Sequence, residues 1–260
     1  MLKYSCLFVC LLAGYGATFS QIPTHPFSTD SFPNSQHREI EIKQTFKWRS
    51  LVIPGAMITY GVASLKCDWF QDWNEAIKDE LWTEAPHKQV HIDNYLQWSP
   101  AACTFALGIA GVKGQHNFID RVFILGIAEL IQSSVVASIK KISGEVRPNG
   151  ESTASFPSGH TSNAFTGAEF MRLEYKDASP WYGVFGYTLA ATTGFLRIYN
   201  NKHWLSDIVA GAATGILSTD LTYYLYPKIK QLLFPKHILH TIIIPTYQSG
   251  AAGIAIIRRF

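Results

Sequence analysis

The chain has 260 residues, 22 Lys+Arg against 19 Asp+Glu for a formal net charge of +3, 47% hydrophobic residues and only 16% charged ones. That length suits one domain with a substantial core, and so small a positive balance does not argue for a nucleic-acid partner. The apolar excess points instead to a membrane or to a heavily buried interior.

The chain opens with the layout of a secretory signal. Lys3 precedes the apolar run Leu7 to Ala13, and the small residues Thr18 and Ser20 precede Gln21. Residues 1–20 are therefore expected to be a signal peptide or an N-terminal anchor, the run being short for a full span. Once a signal is removed, only Cys67 and Cys103 remain. They can pair outside the cytoplasm, but Cys103 sits in an apolar run and reads as a buried free thiol. Residues 21–50 are polar, carry Pro23, Pro26 and Pro33, and read as an arm.

Apolar stretches then recur at Leu51 to Leu65, Tyr95 to Val112, Val122 to Ile139, His160 to Phe170, Trp181 to Leu196 and Leu205 to Tyr226. They predict an all-α domain over 51–230, a six-helix bundle. A polar, Trp-bearing segment from Asp68 to His91 separates the first two and is expected to cap the site. His87-x3-His91 and His237-x2-His240 have helical metal-ligand spacing, but no further ligands accompany either pair. They read as solvated histidines, and no metal or other cofactor is expected. After Pro227 the pattern changes. Ile238 to Thr246 and Ala252 to Phe260, around Gln248-Ser249-Gly250, predict a short hairpin in a C-terminal extension, 231–260.

A spanning helix needs about 20 mostly apolar residues. Several of these stretches are shorter or contain Glu169, Asp207 or Asp220. Aromatic residues at Trp98, Trp181, Trp204 and Tyr223 to Tyr226 suit a membrane interface, and membrane association is the expectation. Leu51 to Leu65, bounded by Arg49 and Lys66, is the stretch expected not to span. The site then faces the periplasm, with Arg172, Lys176, Lys228 and Lys230 inside.

The chemistry lies between Lys140 and Asp207 in three pieces: Lys140 with Arg147-Pro148, then Pro157-Ser158-Gly159-His160, then Arg197 with His203 and Asp207. A phosphoryl group spreads up to two negative charges over its oxygens and needs several cations and oriented donors. Lys140, Arg147 and Arg197 supply cations, the guanidinium groups gripping two oxygens at once. Ser158 and Gly159 open a helix, whose free N–H groups attract anions. Two histidines remain for catalysis. Asp207 follows His203 by four residues, so a helical turn places the carboxylate on the imidazole. His203 is the expected nucleophile, Asp207 its orienting partner and His160 the general acid. Helix alternation carries all three pieces to one end of the bundle.

Lys140-x6-Arg147-Pro148, Pro157-Ser158-Gly159-His160 and Arg197-x5-His203-x3-Asp207 resemble the three signatures of the type-2 phosphatidic acid phosphatase superfamily, which includes bacterial acid phosphatases and vanadium haloperoxidases. Leu196 stands where that family usually has serine. The resemblance implies an all-helical core and a phosphohistidine intermediate formed without a metal. Residues 94–114 and 179–226 are similar to bacterial membrane phosphatases acting on lipid A at the 4′ position. The expected partners are thus a phosphorylated lipid and the membrane, with no obligate protein partner evident. The expected place is the bacterial cell envelope, in the inner membrane with the site at the periplasmic face. Undecaprenyl diphosphate, phosphatidylglycerophosphate, a soluble periplasmic acid phosphatase acting non-specifically and a haloperoxidase remain alternatives.

Overall fold

The computed structural model describes residues 48–234, 241–248 and 251–258. The signal expected over 1–20, nearly all of the arm and the His237-x2-His240 pair lie outside them.

Helix α1 runs Val52–Ala63 after a 3-10 turn at Trp48–Leu51. Helix α2 follows at Asp68–Lys78 and ends in a π-helical turn, Asp79–Thr83. The remaining helices are α3 (Asp93–Leu96), α4 (Ser99–Ile109), α5 (Phe118–Ser143), α6 (Gly159–Tyr175), α7 (Pro180–Tyr199) and α8 (Leu205–Leu233). The described residues thus hold eight helices rather than the six expected. Of the two additional ones, α3 overlaps the start of the stretch expected from Tyr95, and α2 comes from a segment whose average polarity hides it. In α2 the apolar side chains Trp69, Trp73 and Ile77 recur every fourth residue, so only one face is apolar. The Trp69 and Trp73 rings lie 4.6 Å apart, and Phe70 meets Tyr60 of α1 edge-on at 5.1 Å.

Local chemistry sets the helix ends. The Asn117 side chain accepts from Asp120 N at 2.8 Å to start α5, and Gly144 ends it in the left-handed region at φ 60°. Ser179 accepts from Trp181 N at 3.3 Å to start α7, with Pro180 in the first turn. Pro227 does not end α8 as the sequence pattern suggested. It withholds one backbone donor, and the helix continues to Leu233.

Helix α6 is the central element, with all but a few of its residues buried. Small residues let its neighbours approach closely. A Cβ on Gly211 of α8 would sit 2.6 Å from Ser158 O, one on Gly215 would sit 2.3 Å from Ser162 O, and one on Gly167 of α6 would sit 2.9 Å from Ala101 N of α4. Close backbone packing through Gly, Ala, Ser and Thr is how helices associate where lipid supplies no hydrophobic drive. Larger side chains, Ile124, Phe170, Leu173, Tyr223 and Tyr226, cluster towards the C-terminal end of α6.

Helix α5 has the opposite character. Its best 18-residue window has a mean hydropathy of 1.9, yet only 22% of that window is buried, with Ile119, Val122 and Leu130 exposed. Its 26 residues span about 39 Å at 1.5 Å each, enough to cross a bilayer. Among the described residues it is the single unbroken helix long and apolar enough to do so. The segments Trp48–Ala63 and Asp68–Thr83 qualify together as a pair bent by 91°.

Cys67 and Cys103 are both free thiols, and Cys103 is half-buried rather than fully enclosed. A two-stranded antiparallel sheet, β1 (Thr241–Gln248) with β2 (Ala251–Arg258), pairs Thr241 with Arg258 through to Gln248 with Ala251.

Candidate active site

Four helix ends make the site. Helix α5 arrives with Lys140 in its last turn, α6 departs with His160, α7 returns with Arg197, and α8 departs with Asp207. The connecting loops are bound to one another. Arg147 N donates to Ser152 O at 2.9 Å and Ser155 N to Glu145 O at 2.9 Å, with Gly150 at φ 73° turning the chain between them. Across the loops Trp204 Nε1 donates to Val146 O at 2.8 Å, Lys202 pairs with Glu151 at 2.8 Å, and Ser158 N donates to Asp207 O at 3.0 Å.

His203 and Asp207 form the buried pair that their spacing predicts. Asp207 is 0% exposed and His203 2%. His203 Nδ1 lies 3.1 Å from Asp207 Oδ2, which also accepts from Trp204 N at 3.0 Å and Ser155 Oγ at 2.5 Å. The carboxylate keeps a hydrogen on Nδ1 and thereby leaves the lone pair on Nε2, which has no hydrogen bond among the described residues. Asp207 also sits in the first turn of α8, where the helix dipole favours its charge. Ser155 is a part of this pair that the sequence reading missed. It lies two residues before Pro157, just outside the signature.

The three cations are not equivalent. Lys140 Nζ donates to the backbone carbonyls of Ala154 and Ser155, the latter at 3.0 Å, so it holds the loop that carries Ser155. Arg147 Nε and Arg197 Nε are buried and have no partner among the described residues. A buried guanidinium donor left unsatisfied costs free energy, which an incoming anion would recover.

Ser158 opens α6, as its position in the sequence predicts. It is fully buried, and its Oγ accepts from Thr161 N at 3.4 Å and Thr161 Oγ1 at 2.9 Å. Its side chain therefore caps α6, and its service to an anion runs through the helix end it sets. The first amides there, Gly159 and His160, have no intrahelical acceptor. A Cβ on Gly159 would meet nothing nearer than Val136 Cγ1 at 3.8 Å, so the space above it is open.

Helix α3 adds two residues that no motif contains. Asp93, 1% exposed, accepts from Arg197 Nη1 at 2.5 Å, and Asn94 Oδ1 lies 3.0 Å from His160 Nε2. The segment expected as a cap is fastened beside the same site. Asn74 of α2 exchanges hydrogen bonds with Ser206 at 3.0 and 3.2 Å, next to Asp207. Asn200 bonds the backbone of Val90 twice, each at 2.8 Å. His87 stacks on Tyr199 with ring centroids 3.7 Å apart, and its nitrogens face Ala85 O and Tyr199 O at 2.7 and 2.8 Å. Carbonyl oxygens thus occupy both its nitrogens, in place of the solvent expected there.

Electrostatics keep both site imidazoles neutral while the site is empty of anions. Burial pushes His203 down to about 4, the Arg197 and Lys140 charges assisting and Asp207 opposing. Burial likewise pushes His160 to about 4, with Arg197, Arg147 and Lys140 lowering it further and Asp93 opposing. An anion placed among these cations would cancel their field and let one imidazole take up a proton.

Residues 121–231 match the PAP2 superfamily. The chain is 34% identical over 187 residues to the lipid A 1-phosphatase of Porphyromonas gingivalis, covering 71% of this chain and 39% of that protein. It thus spans well under half the length of that curated relative. Two solved structures resemble it at 19% identity: the transmembrane PAP2-type phosphatidylglycerolphosphate phosphatase of Bacillus subtilis and LpxE of Aquifex aeolicus. The first has a TM-score of 0.48 and covers 69% of this chain and 98% of its own. The second has a TM-score of 0.44 and covers 59% and 93%.

Proposed function

We propose that this chain, whose residues 121–231 are a PAP2 superfamily domain, is a lipid phosphatase working through a phosphohistidine. One observation carries the reading: a histidine whose Nδ1 is held by a buried carboxylate shares its site with two buried guanidinium Nε donors that lack partners.

The steps follow from the hydrogen-bond directions. Arg147, Arg197 and the first amides of α6 bind the phosphoryl oxygens, and Lys140 fixes the loop beneath them. His203 Nε2 attacks phosphorus while Asp207 stabilises the growing imidazolium through Nδ1–H. The phosphorus–oxygen bond breaks, and the departing alcohol oxygen takes a proton from His160. Water then attacks phosphorus, giving a proton to His160 as the phosphorus–nitrogen bond breaks and its electron pair returns to His203 Nε2. Inorganic phosphate leaves, with His203 neutral and His160 again carrying the proton it donated.

A lipid substrate is supported by the exterior of the protein. The exposed apolar face of α5 suits bilayer contact, and so does an almost wholly apolar groove of about 550 Å³ at the end of the bundle away from the site, lined by Cys103, Leu107, Met171, Trp181, Tyr182 and Phe185. Exposed Ile92, Tyr95 and Trp98 flank Asn94 at the mouth of the site. The P. gingivalis relative supports a lipid A-type glycolipid, and its name favours the 1-phosphate over the 4′-phosphate that the sequence resemblance suggested. Arg172 and Lys176, at the end of the bundle away from the site, support a periplasmic-facing site by the positive-inside rule.

The test is mass spectrometry of lipids from cells with and without the chain, with His203→Ala as control, followed by purified protein on lipid A. Loss of one phosphate from lipid A that requires His203 is expected, and phosphorus NMR assigns the position. Unchanged lipid A together with unchanged polyprenyl diphosphates would sink the lipid reading.

A further inference from the structure

Two adjacent residues of α3 hold the two groups that a departing oxygen and a bound phosphoryl group would meet. Asp93 holds Arg197, and Asn94 holds His160. We propose that Asn94 is a positioning residue for the general acid, its side-chain carbonyl fixing the imidazole of His160 so that Nδ1 is the nitrogen presented to the leaving oxygen. This rests on the phosphatase reading above and goes beyond it by naming the donor atom and the residue that selects it.

The argument is one of hydrogen inventory. A side-chain carbonyl only accepts, so the nitrogen 3.0 Å from it must carry a hydrogen whether the ring is neutral or protonated. Nε2 is that nitrogen, which leaves Nδ1 as the position where the transferable proton comes and goes. Among the described residues no hydrogen bond engages His160 Nδ1, so it is free to meet a substrate. The two histidines are therefore held in opposite senses. Asp207 holds His203 by Nδ1 and frees Nε2 to attack, whereas Asn94 holds His160 by Nε2 and frees Nδ1 to donate.

The chemical type of each partner matters. The nucleophile needs a carboxylate behind it, because positive charge develops on its ring. The acid needs a neutral acceptor, since a carboxylate would stabilise the imidazolium and make it a weaker acid. Charge around His160 comes from Arg197 of α7, Arg147 of the loop, Lys140 of α5 and Asp93 of α3. Asp93 is already committed to Arg197, so Asn94 can orient the ring without adding charge. The short helix is steadied from within, Gln97 Nε2 donating to Asn94 O at 2.9 Å.

The experiment compares first-turnover release of the leaving group from p-nitrophenyl phosphate and from an alkyl phosphate such as glycerol phosphate. Nitrophenolate departs without a proton, whereas an alkoxide does not. Asn94 is solvent-exposed, so Asn94→Ala removes no core packing. In Asn94→Ala, first-turnover nitrophenolate release should stay within about threefold of the parent, while alcohol release falls about 100-fold, the low end of a general-acid contribution. Asn94→Asp keeps an acceptor and adds a charge. It should restore most alkyl turnover and move the alkaline limb of the pH profile to higher pH, because the acid then holds its proton longer. Equal loss on both substrates, or an Asn94→Asp profile with an unmoved alkaline limb, overturns the proposal. Absence of turnover by the parent on every phosphoester instead overturns the phosphatase reading on which it rests.

Discussion

Among the described residues, two buried carboxylates each hold the Nδ1 of a histidine, one at either end of the bundle, and their surroundings differ. At the end with the candidate site Asp207 holds His203 at 3.1 Å. At the other end Glu174 holds His116 at 2.7 Å. Glu174 is saturated: Oε1 also accepts from Tyr223 OH at 2.6 Å, and Oε2 accepts from His116 N at 3.1 Å and Arg121 Nε at 3.2 Å. Its neighbours are equally satisfied, with Arg121 bonding Tyr175 OH, Tyr226 OH donating to Asp120 at 2.6 Å, and Glu169 binding both Arg172 and Tyr187. Around Asp207 the accounts stay open, since its own Oδ1 and the Nε atoms of Arg147 and Arg197 are buried without partners among the described residues. A carboxylate–imidazole pair is therefore not a catalytic signature by itself. What separates the two ends is whether nearby cations have donors left for a ligand.

Asp207→Asn tests that separation most severely. The amide oxygen can still accept the Nδ1 hydrogen of His203, but the negative charge that would stabilise the imidazolium is gone, and the same change at a histidine–aspartate pair costs about 10⁴-fold in kcat. Phosphate release should fall to that extent while the thermal unfolding midpoint in detergent changes little. Glu174→Ala should do the reverse. Removing one partner of a buried ion pair strands Arg121 and costs about 3–5 kcal/mol, read as a lowered unfolding midpoint. The protein that remains folded should turn over at close to the parental rate. If Glu174→Ala abolished turnover without destabilising the fold, the distinction between the two ends would break.

What the sequence disclosed follows the same division. His203 and Asp207 lie one helical turn apart, so a spacing of four already places the carboxylate on the ring. Arg147, His160 and Arg197 were legible because helix alternation returns their helix ends to one side. Asp93 and Asn94 were not, being 104 and 66 residues from the groups they hold, with no local period to mark them. His116 and Glu174 escaped notice for the same reason, at a separation of 58. Helix α2 was hidden because a one-sided apolar stripe carrying Asp68, Asp72 and Glu75 averages to a polar segment.

A smaller effect separates the site from the rest of the fold by pH. The ordinary histidine value is about 6.5, whereas burial takes His203 to about 4. The fold therefore prefers this ring neutral. The associated stability is present in full above about 6.5 and is lost as pH falls from there through about 4. Unfolding midpoints measured across that range should decline, and the decline should be shallower in His203→Gln, which has no proton to gain. An equally steep decline in the variant would assign the acid sensitivity to other groups.

Ser155→Ala should give the mildest of these effects and the most specific one. The hydroxyl donates to Asp207 Oδ2 at 2.5 Å and lies 3.4 Å from His203 Nδ1. Its loss leaves the carboxylate with the donors Trp204 N and His203 Nδ1. Because Ser155 is fully buried, the alanine leaves a space of one oxygen but strands no charge. One hydrogen bond to a charged group contributes about 1.5–3 kcal/mol, of which the retained donors make up part. A kcat reduced about tenfold with KM unchanged is expected, because the bond acts on the imidazolium that develops during attack and not on the bound phosphoryl oxygens. A rise in KM at constant kcat would instead place Ser155 among the groups that bind the phosphate, and would add its hydroxyl to the open donors that distinguish this end of the bundle.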